Sequence, residues 1–565
     1  MDTKRFLLAI GLTLLILWLY QSWLEYQYPT YYQQQTAENG RSKDSAEGRE
    51  GRQERKGGTT AESGESVPKV RGDRQSQPAE PRQQAAGFPA SGLTVETDVL
   101  RVSFSPGSGD PVSGSLLKYR EEDNPKSPPV QVLENSGSWL VVGQSGWIPG
   151  SSSGYAPSHQ AEFQGPSEGK RILQEGEDAL KVTYTRTHGD LEFRKTYHFR
   201  RGSYAVRTEY TVVNRGDDPW QGYLYGQIRQ RGSKAKGNWM LGQFLYHGPV
   251  VFTNNAMKTF SAEDLREKSN NTFQSSDPSG WAGIMSRYFM SVWVPKVMEG
   301  NSFTVRASGQ DLYAGFTAPF PRVAPGGQAS MEQALFIGPK EQSVVAEVGE
   351  NRQLRRAVDY GILSFLAIPL FEVLQFFHSL VGNYGFAIIL VVIAIKLVFY
   401  PLFTMSYRAM AKMRKVQPEL QRLREQYGDD RQKLNEEMMR LYREEKVNPL
   451  GGCLPILVQI PVFISLYWVL LESVEIRHEP FILWITDLTS QDPFYVLPIL
   501  MGASMVVQQL LNPAPLDPIQ KKVMLALPVV FTVFFMQFPA GLVLYWLSNN
   551  LLSIAQQWWV MRKID

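Results

Sequence analysis

The stretch G-F-A-I-I-L-V-V-I-A-I-K-L-V-F-Y-P-L-F (Gly385–Phe403) carries one charge, the ammonium of Lys396, in a run otherwise free of charge. A bilayer core about 30 Å thick needs about 20 apolar residues of helix, so the run reads as a membrane span. An ionisable side chain at that depth costs roughly 2.5 kcal/mol or more, and is paired, hydrated or functional. The later apolar segments Leu454–Leu471, Phe494–Leu511, Val523–Phe538 and Gly541–Val560 contain no Asp or Glu, so they supply Lys396 with no carboxylate. Two readings compete. Lys396 lies about 10 Å of helix from Phe403 and can snorkel to the inner surface. Alternatively it faces a water-filled, substrate-facing pocket, which fits the polar residues at comparable depth in neighbouring segments.

Working outward, 565 residues exceed one ordinary domain and accommodate a membrane part and a soluble part. A mean hydropathy of −0.24 hides this division, because five candidate spans crowd the C-terminal third. The net charge of +3 argues against a nucleic-acid surface. The single cysteine, Cys453, forms no internal disulfide, so the soluble part folds without covalent staples.

At the N-terminus, M-D-T-K-R precedes an apolar run and then Trp18, Tyr20, Trp23, Tyr26 and Tyr28. Without a small-residue cleavage site, residues 1–28 read as an uncleaved transmembrane anchor with an aromatic belt. Residues 29–92 are rich in Gln, Gly, Ser, Arg and Glu and read as a disordered tether. From 93 to 340 the pattern is period-2 alternation, as in Leu180, Val182, Tyr184 and in Leu191, Phe193, Tyr197, Phe199, with turns at His188-Gly189-Asp190 and Arg201-Gly202-Ser203. Antiparallel strands follow, and about 245 residues of them make a large β-sandwich.

Residues 341–383 read as amphipathic helix in the membrane interface, over 354–377 and broken at Pro369, leading into a transmembrane helix at 384–404. Residues 405–449 form a charged helical hairpin, with an apolar seam of Met413, Val416, Leu420, Leu423 and Tyr427 before the turn Gly428-Asp429-Asp430 and Leu434, Met438 and Leu441 after it. Residues 450–565 hold four further spans and a short tail. The hairpin carries Arg408, Lys412, Arg414, Lys415, Arg422, Arg424, Arg431 and Lys433, whereas the loop Glu472–Asp492 has Arg477 alone among five acids. Basic loops stay inside, so the hairpin and both termini are cytoplasmic and the sandwich lies outside.

Polar groups recur within the spans: Gln459; Ser504, Gln508 and Gln509; Thr532 and Gln537; Ser548, Asn549, Asn550, Ser553, Gln556 and Gln557. Singly each reads as glue between helices; together with Lys396 they outline a hydrated indentation. Tyr545 and Trp546 beside them offer an amphipathic face to a passing chain, or are ordinary buried aromatics. There is no G-x-x-x-x-G-K-[ST] loop and no H-E-x-x-H, and the C-terminal spans hold no histidine to activate a serine. Neither enzyme activity nor a cofactor or metal is expected. Trp239, Trp281 and Trp293 in the sandwich read as core or rim packing ahead of sugar stacking.

N-P-L-G-G-C-L-P-I-L-V-Q-I-P-V-F-I-S-L-Y (Asn448–Tyr467), L-P-I-L-M-G-A-S-M (Leu497–Met505) and P-V-V-F-T-V-F-F-M-Q-F-P-A-G-L-V-L-Y-W-L-S-N-N (Pro528–Asn550) closely resemble the YidC family of bacterial membrane protein insertases. The resemblance spans roughly Asp359–Val560, and the anchor, tether and sandwich look like the family's Gram-negative form. It implies a multi-domain inner-membrane protein: a polytopic α-helical core of five transmembrane helices plus an N-terminal anchor, with a periplasmic antiparallel β-sandwich. It also implies a hydrophilic groove open to cytoplasm and lipid. Groove residues would be Lys396, Gln459, Gln508, Gln509, Thr532, Tyr545, Trp546 and Asn549. Lys396 stands where the family's charge is usually Arg, which loses the planar fork but keeps the charge. Trp546 replaces the second Tyr of an aromatic pair, and Val392 takes a position that is polar in some relatives. The implied work is insertion and chaperoning of nascent inner-membrane proteins, alone or beside the Sec translocon, with the ribosome and lipids as further partners. The runner-up is a secondary transporter of an anionic solute, against which the five spans show no internal repeat. An enzyme acting on glycans through the sandwich comes third.

Overall fold

The computed structural model describes residues 92–563 except 137–138, 152–153, 167, 233–245, 268–271, 349–352, 359, 429, 446–453 and 512–517. The expected anchor (1–28), almost all of the tether (29–92), Trp239 and Cys453 lie outside the described residues.

Two sheets, ten-stranded and eight-stranded among the described residues, form the N-terminal part. The alternating segments named above are strands Ala179–His188, Leu191–Arg200 and Ala205–Asn214, paired antiparallel. Gly189 (φ 55°) and Gly202 (φ 71°) make the turns between them, in the left-handed region that side chains disfavour. Val182, Tyr184, Phe193, Tyr197, Tyr210 and Val212 point inward and are buried in one core. Thr94–Glu96 with Lys170–Ile172 is a parallel pair in this otherwise antiparallel fold. Trp281 and Trp293 are fully buried, Trp281 stacked 5.8 Å from Phe252, so both serve the core.

Ten α-helices occur among the described residues: α1 (Ala262–Glu267), α2 (Gln342–Val345), α3 (Ser364–Val381), α4 (Tyr384–Val398), α5 (Tyr400–Tyr427), α6 (Arg431–Glu444), α7 (Leu454–Glu472), α8 (Val496–Leu511), α9 (Pro518–Phe535) and α10 (Ala540–Arg562). All five apolar runs are helical. By length and composition one helix among the described residues, α3, is sufficient alone to cross a membrane, and α4 with α5 make a second span only across a 70° bend. α8 and the apolar parts of α7 and α9 are shorter apolar helices.

The helices depart from the sequence expectation at three places. The interfacial helix was expected over 354–377 and broken at Pro369. Instead Gln353–Ala357 is a 3-10 turn whose Leu354 and Ala357 join the sandwich core, and Gly361 at φ 69° separates it from α3. α3 then runs unbroken through Pro369, which sits in its second turn and costs a single backbone hydrogen bond. The Lys396 helix was expected to reach 404, yet α4 ends at Val398. Phe399 leaves the helical region and Pro401 starts α5, where a missing N–H costs nothing.

Local signals position α4. Gly382 (φ 66°) caps α3, and the Asn383 side chain accepts the Phe386 N–H at 3.1 Å and donates to the Pro480 and Phe481 carbonyls at 3.1 and 3.0 Å. Gly385 is needed there, since a Cβ would lie 2.0 Å from the Phe481 ring. α5 and α6 form the expected hairpin on Val416, Leu420 and Met438, flanked by Met413, Leu423, Leu434 and Leu441. Asp430 caps α6 by accepting the Gln432 and Lys433 N–H groups.

The two halves present opposite surfaces. Apart from Ile172, every exposed large hydrophobic side chain among the described residues lies after residue 360. Phe365, Phe376 and Leu380 on α3 and Val529, Val530 and Val533 on α9 are examples, all more than half exposed. A surface of that kind calls for an apolar solvent.

Candidate functional site

Lys396 ends up between α4, α5 and α10, 8 % exposed. Its Nζ donates to Ser553 Oγ at 2.7 Å and stands 4.1 Å from the centre of the Phe403 ring. Ser553 in turn donates to the Asn549 carbonyl at 2.7 Å, which holds the hydroxyl with its lone pairs toward the ammonium. Tyr407 is buried beside the same hydroxyl. No carboxylate pairs with Lys396 among the described residues, where one hydroxyl and one ring face answer its charge. An ammonium has three donors.

α10 shares its polar residues between two faces. Asn550 donates to Ser504 Oγ at 3.0 Å and Gln557 Nε2 to the Leu511 carbonyl at 3.2 Å, which ties α10 to α8. These two positions are seven apart, two helical turns, and act as interhelical glue. Tyr545, Asn549 and Ser553, spaced by four, form the other row. Gln459 on α7 meets the Tyr545 hydroxyl, and Gln556 reaches the Tyr400 carbonyl at 3.4 Å. A polar row thus follows α10 from Gln459 and Tyr545 past Asn549 to Lys396.

Tyr545 is 2 % exposed and lies 5.9 Å from Phe463. Trp546 is half-buried among Phe463, Phe535 and Phe531 at 4.7, 5.1 and 6.1 Å. The pair therefore anchors an aromatic cluster across α7, α9 and α10, with Trp546 the more open of the two. Thr532 returns its hydroxyl to the Pro528 carbonyl at 2.8 Å and touches α8 where Gly502 allows it, a Cβ there falling 1.9 Å from Thr532 Oγ1. Gln508 and Gln509 are half-buried on α8, and Val392 is buried in the helical core. Of the expected groove residues, the structure joins Lys396 to Asn549 and Gln459 to Tyr545; Thr532 belongs to the α8–α9 crossing. Phe403 and Tyr407 were missed, and Ser553, named among the polar residues of the span, was not singled out for the groove. Ser553 was visible as the next residue after Asn549 on a four-residue spacing.

On the hairpin, Arg408, Lys412, Arg414, Lys415, Arg422 and Lys433 are exposed and Arg424 is half-buried, while the Arg431 side chain lies outside the described residues. Arg422 pairs with Glu419 at 3.6 Å, an exposed contact worth about 0–1 kcal/mol.

A β-domain with an ordinary polar surface joined to helices that expose apolar side chains and hide an ion without a counter-ion among the described residues defines a class, the helical membrane proteins with a large extramembrane domain. The family described as 60Kd inner membrane protein matches residues 376–565, and the YidC periplasmic domain matches residues 92–373. The Membrane protein insertase YidC of Thioalkalivibrio sulfidiphilus is 46 % identical over 483 residues, covering 84 % of this chain and 85 % of the relative. That of Marinobacter nauticus is 45 % identical over 482 residues, covering 84 % and 83 %. A solved active YidC insertase with its first transmembrane domain resolved is similar at 17 % identity and a TM-score of 0.35, covering 83 % of this chain and 95 % of that one. The chain belongs to the YidC family of membrane protein insertases, in the form with a periplasmic β-rich domain and a helical C-terminal part.

Proposed function

We propose that this chain inserts newly made proteins into the inner membrane through a hydrated groove centred on Lys396. Gln459, Tyr545, Trp546 and Asn549 line it along α7 and α10, with Gln508, Gln509 and Thr532 on the neighbouring helices. The observation that carries the reading is the Lys396 ammonium, buried with one hydroxyl partner and no ion pair among the described residues. Packing alone does not select such a group, because an apolar residue would avoid the cost of burying charge. Water and an acidic client segment supply the hydrogen bonds that Ser553 leaves open.

The work is a lowered barrier and involves no covalent chemistry. A polar segment entering the groove keeps part of its hydration, and its carboxylates are drawn to Lys396, which offsets the cost of leaving water. The client's apolar helix then partitions against the exposed apolar faces of α7 and α9, such as Ile460, Ile464, Val529 and Val533. A membrane potential that is positive outside adds about 2.3 kcal/mol per acidic charge per 100 mV, so ATP is not required. Five core helices and an N-terminal anchor span the membrane in this reading, with both termini and the hairpin cytoplasmic and the sandwich periplasmic. The exposed Arg and Lys of the hairpin recruit ribosomes and anionic lipid, and the Sec translocon is a further partner; the same groove shelters folding clients as a chaperone.

Purified protein in liposomes tests this directly. A single-span client with an acidic outer segment should become protease-protected, and photocrosslinkers at Gln459 and Asn549 should capture it. Uptake of a labelled anion with no client insertion would instead favour the transporter reading.

A further inference from the structure

The sandwich is bolted to the outer end of α7. Val474, from the loop after α7, is buried in the sandwich core. Around it, Arg287 Nε donates to the Leu471 carbonyl at 2.8 Å, Lys340 pairs with Glu472 at 3.2 Å, and Arg477 donates to the Arg120 and Glu121 carbonyls, both at 2.8 Å. The Gln342 N–H donates to Glu475 Oε1 at 3.1 Å, and the Gln342 amide donates to Tyr360, which meets Ser473 at 3.2 Å. Beside this contact lies a cleft of about 840 Å³ between the sandwich, α3, the start of α4 and the loop.

The groups facing Glu475 across the cleft are unbalanced. The sandwich brings Lys118, Tyr119, Arg120, Glu122 and Asp123; the connecting segment brings Glu341; α3 brings His378 and α4 Tyr384; the loop itself brings Arg477, His478 and Glu479. Two of its cations, Arg120 and Arg477, are turned elsewhere. Arg120 donates to the Ser127 carbonyl at 2.7 Å and Arg477 to the carbonyls named above. Among the described residues Glu475 has no ion-pair partner, while Glu341, held by Tyr119 at 2.8 Å, is a like charge beside it.

We propose that this junction is a proton-sensitive joint, in which the sandwich docks most tightly with the Glu475 carboxyl protonated and loosens as that carboxyl ionises. The backbone N–H groups it accepts from, those of Gln342 and of Glu475 itself, serve either form, so protonation removes a half-buried charge without breaking the contact. Burial, with the Glu341 charge adding to it, pushes the Glu475 carboxyl up to about 7. Burial likewise raises Glu479, whereas it lowers His478. The docked state therefore takes up a proton that an undocked, solvated Glu475 releases. Docking is fullest below the ordinary carboxylate range near 4.5, weakens as pH rises through about 7, and levels off above it. Between pH 6 and 8 the docking constant should fall about tenfold, since each unit of pKa difference is tenfold in equilibrium. The outer side of the membrane is where such a change of pH is met, so the joint would couple the sandwich's hold on α7 to external acidity, whatever passes through the groove.

Hydrogen exchange of the full chain in nanodiscs at pH 6, 7 and 8, corrected for the intrinsic exchange rate, reads the open fraction of segments 340–346 and 471–477. Wild-type protection should drop about tenfold across that range. Glu475→Gln should give a flat profile at the acid-side level, and Glu341→Gln should move the drop to lower pH by removing the like charge. A wild-type profile without pH dependence, or the same drop persisting in Glu475→Gln, would overturn the proposal. So would a drop abolished by Glu479→Gln instead, which would assign the proton to the other carboxyl.

Discussion

Lys195 in the sandwich and Lys396 among the helices are both buried, and the protein treats them in opposite ways. Lys195 spends its three donors on Asp110 Oδ1 at 2.8 Å and on the Ser145 and Ser108 carbonyls at 2.8 and 3.2 Å, with the Phe163 ring 4.6 Å away. Lys396 has one hydroxyl and one ring. A water-soluble domain that buries an ammonium must answer it completely, because the unfolded chain offers full hydration as the alternative. The helical half has no such alternative along its lipid face, and an incompletely answered cation is stable there only if water or another chain reaches it. Completeness of partners would separate a structural lysine from the working one proposed at Lys396.

The largest test sets the two lysines against each other. Lys195→Met strands the Asp110 carboxyl, and Asp110→Ala strands the ammonium; each should cost the β-domain about 3–5 kcal/mol, read as a lower unfolding midpoint in the full chain. Lys396→Met should leave the stability of the helical part unchanged or slightly raised, because it removes a charge without stranding a partner. A loss at Lys396 as large as that at Lys195 would erase the distinction.

Next in size is the packing beside the groove. Gly502→Ala drives a Cβ into Thr532 and should cost about 1–3 kcal/mol, with most of the loss recovered in the double variant Gly502→Ala, Thr532→Ala. The same change at Gly107, where a Cβ would meet nothing within 4 Å, should be nearly silent. Thermal denaturation in detergent checks both, and failure of the double variant to recover would remove the close α8–α9 approach from the account.

The smallest expected effect concerns the hairpin, which is neither sandwich nor bundle. Among the described residues its seam buries only Val416, Leu420 and Met438. Deleting Gln421–Asn435 should reduce co-sedimentation with ribosomes a few-fold at low salt and hardly at all at high salt, as screened attraction between basic side chains and phosphate requires. Unchanged binding at both salts would make the arm dispensable for recruitment.

Much of this could be read from the chain because it depends on local periodicity. Alternation placed the strands around Val182, Phe193 and Tyr210, hydropathy placed the five apolar helices, and the seven-residue pattern placed the hairpin seam. What escaped depends on distant partners. Leu354 and Ala357 fit an interfacial helix by spacing, yet the sandwich core claims them, as it claims Val474 from the far side of the membrane helices. The turn at Phe399 follows from Pro401 once α5 is known to start there; by hydropathy alone the run is continuous. Within the site, Lys396 announced itself by charge. Its partner Ser553 was one polar residue among several on α10, and only the packing of α4 against that helix separates it from Asn550, which serves α8.

Insertion by Lys396 variants tests the central claim most directly. In proteoliposomes carrying an outside-positive potential, matched clients with acidic and with uncharged outer segments are compared for wild type, Lys396→Ala and Lys396→Arg. An attractive charge in a hydrated groove predicts that Lys396→Ala slows the acidic client at least tenfold and the uncharged one much less, and that Lys396→Arg inserts both near the wild-type rate, because charge and not fork geometry is what the segment meets. Equal rates for both clients in Lys396→Ala and wild type would contradict the account and leave Lys396 a side chain that merely snorkels to the inner surface.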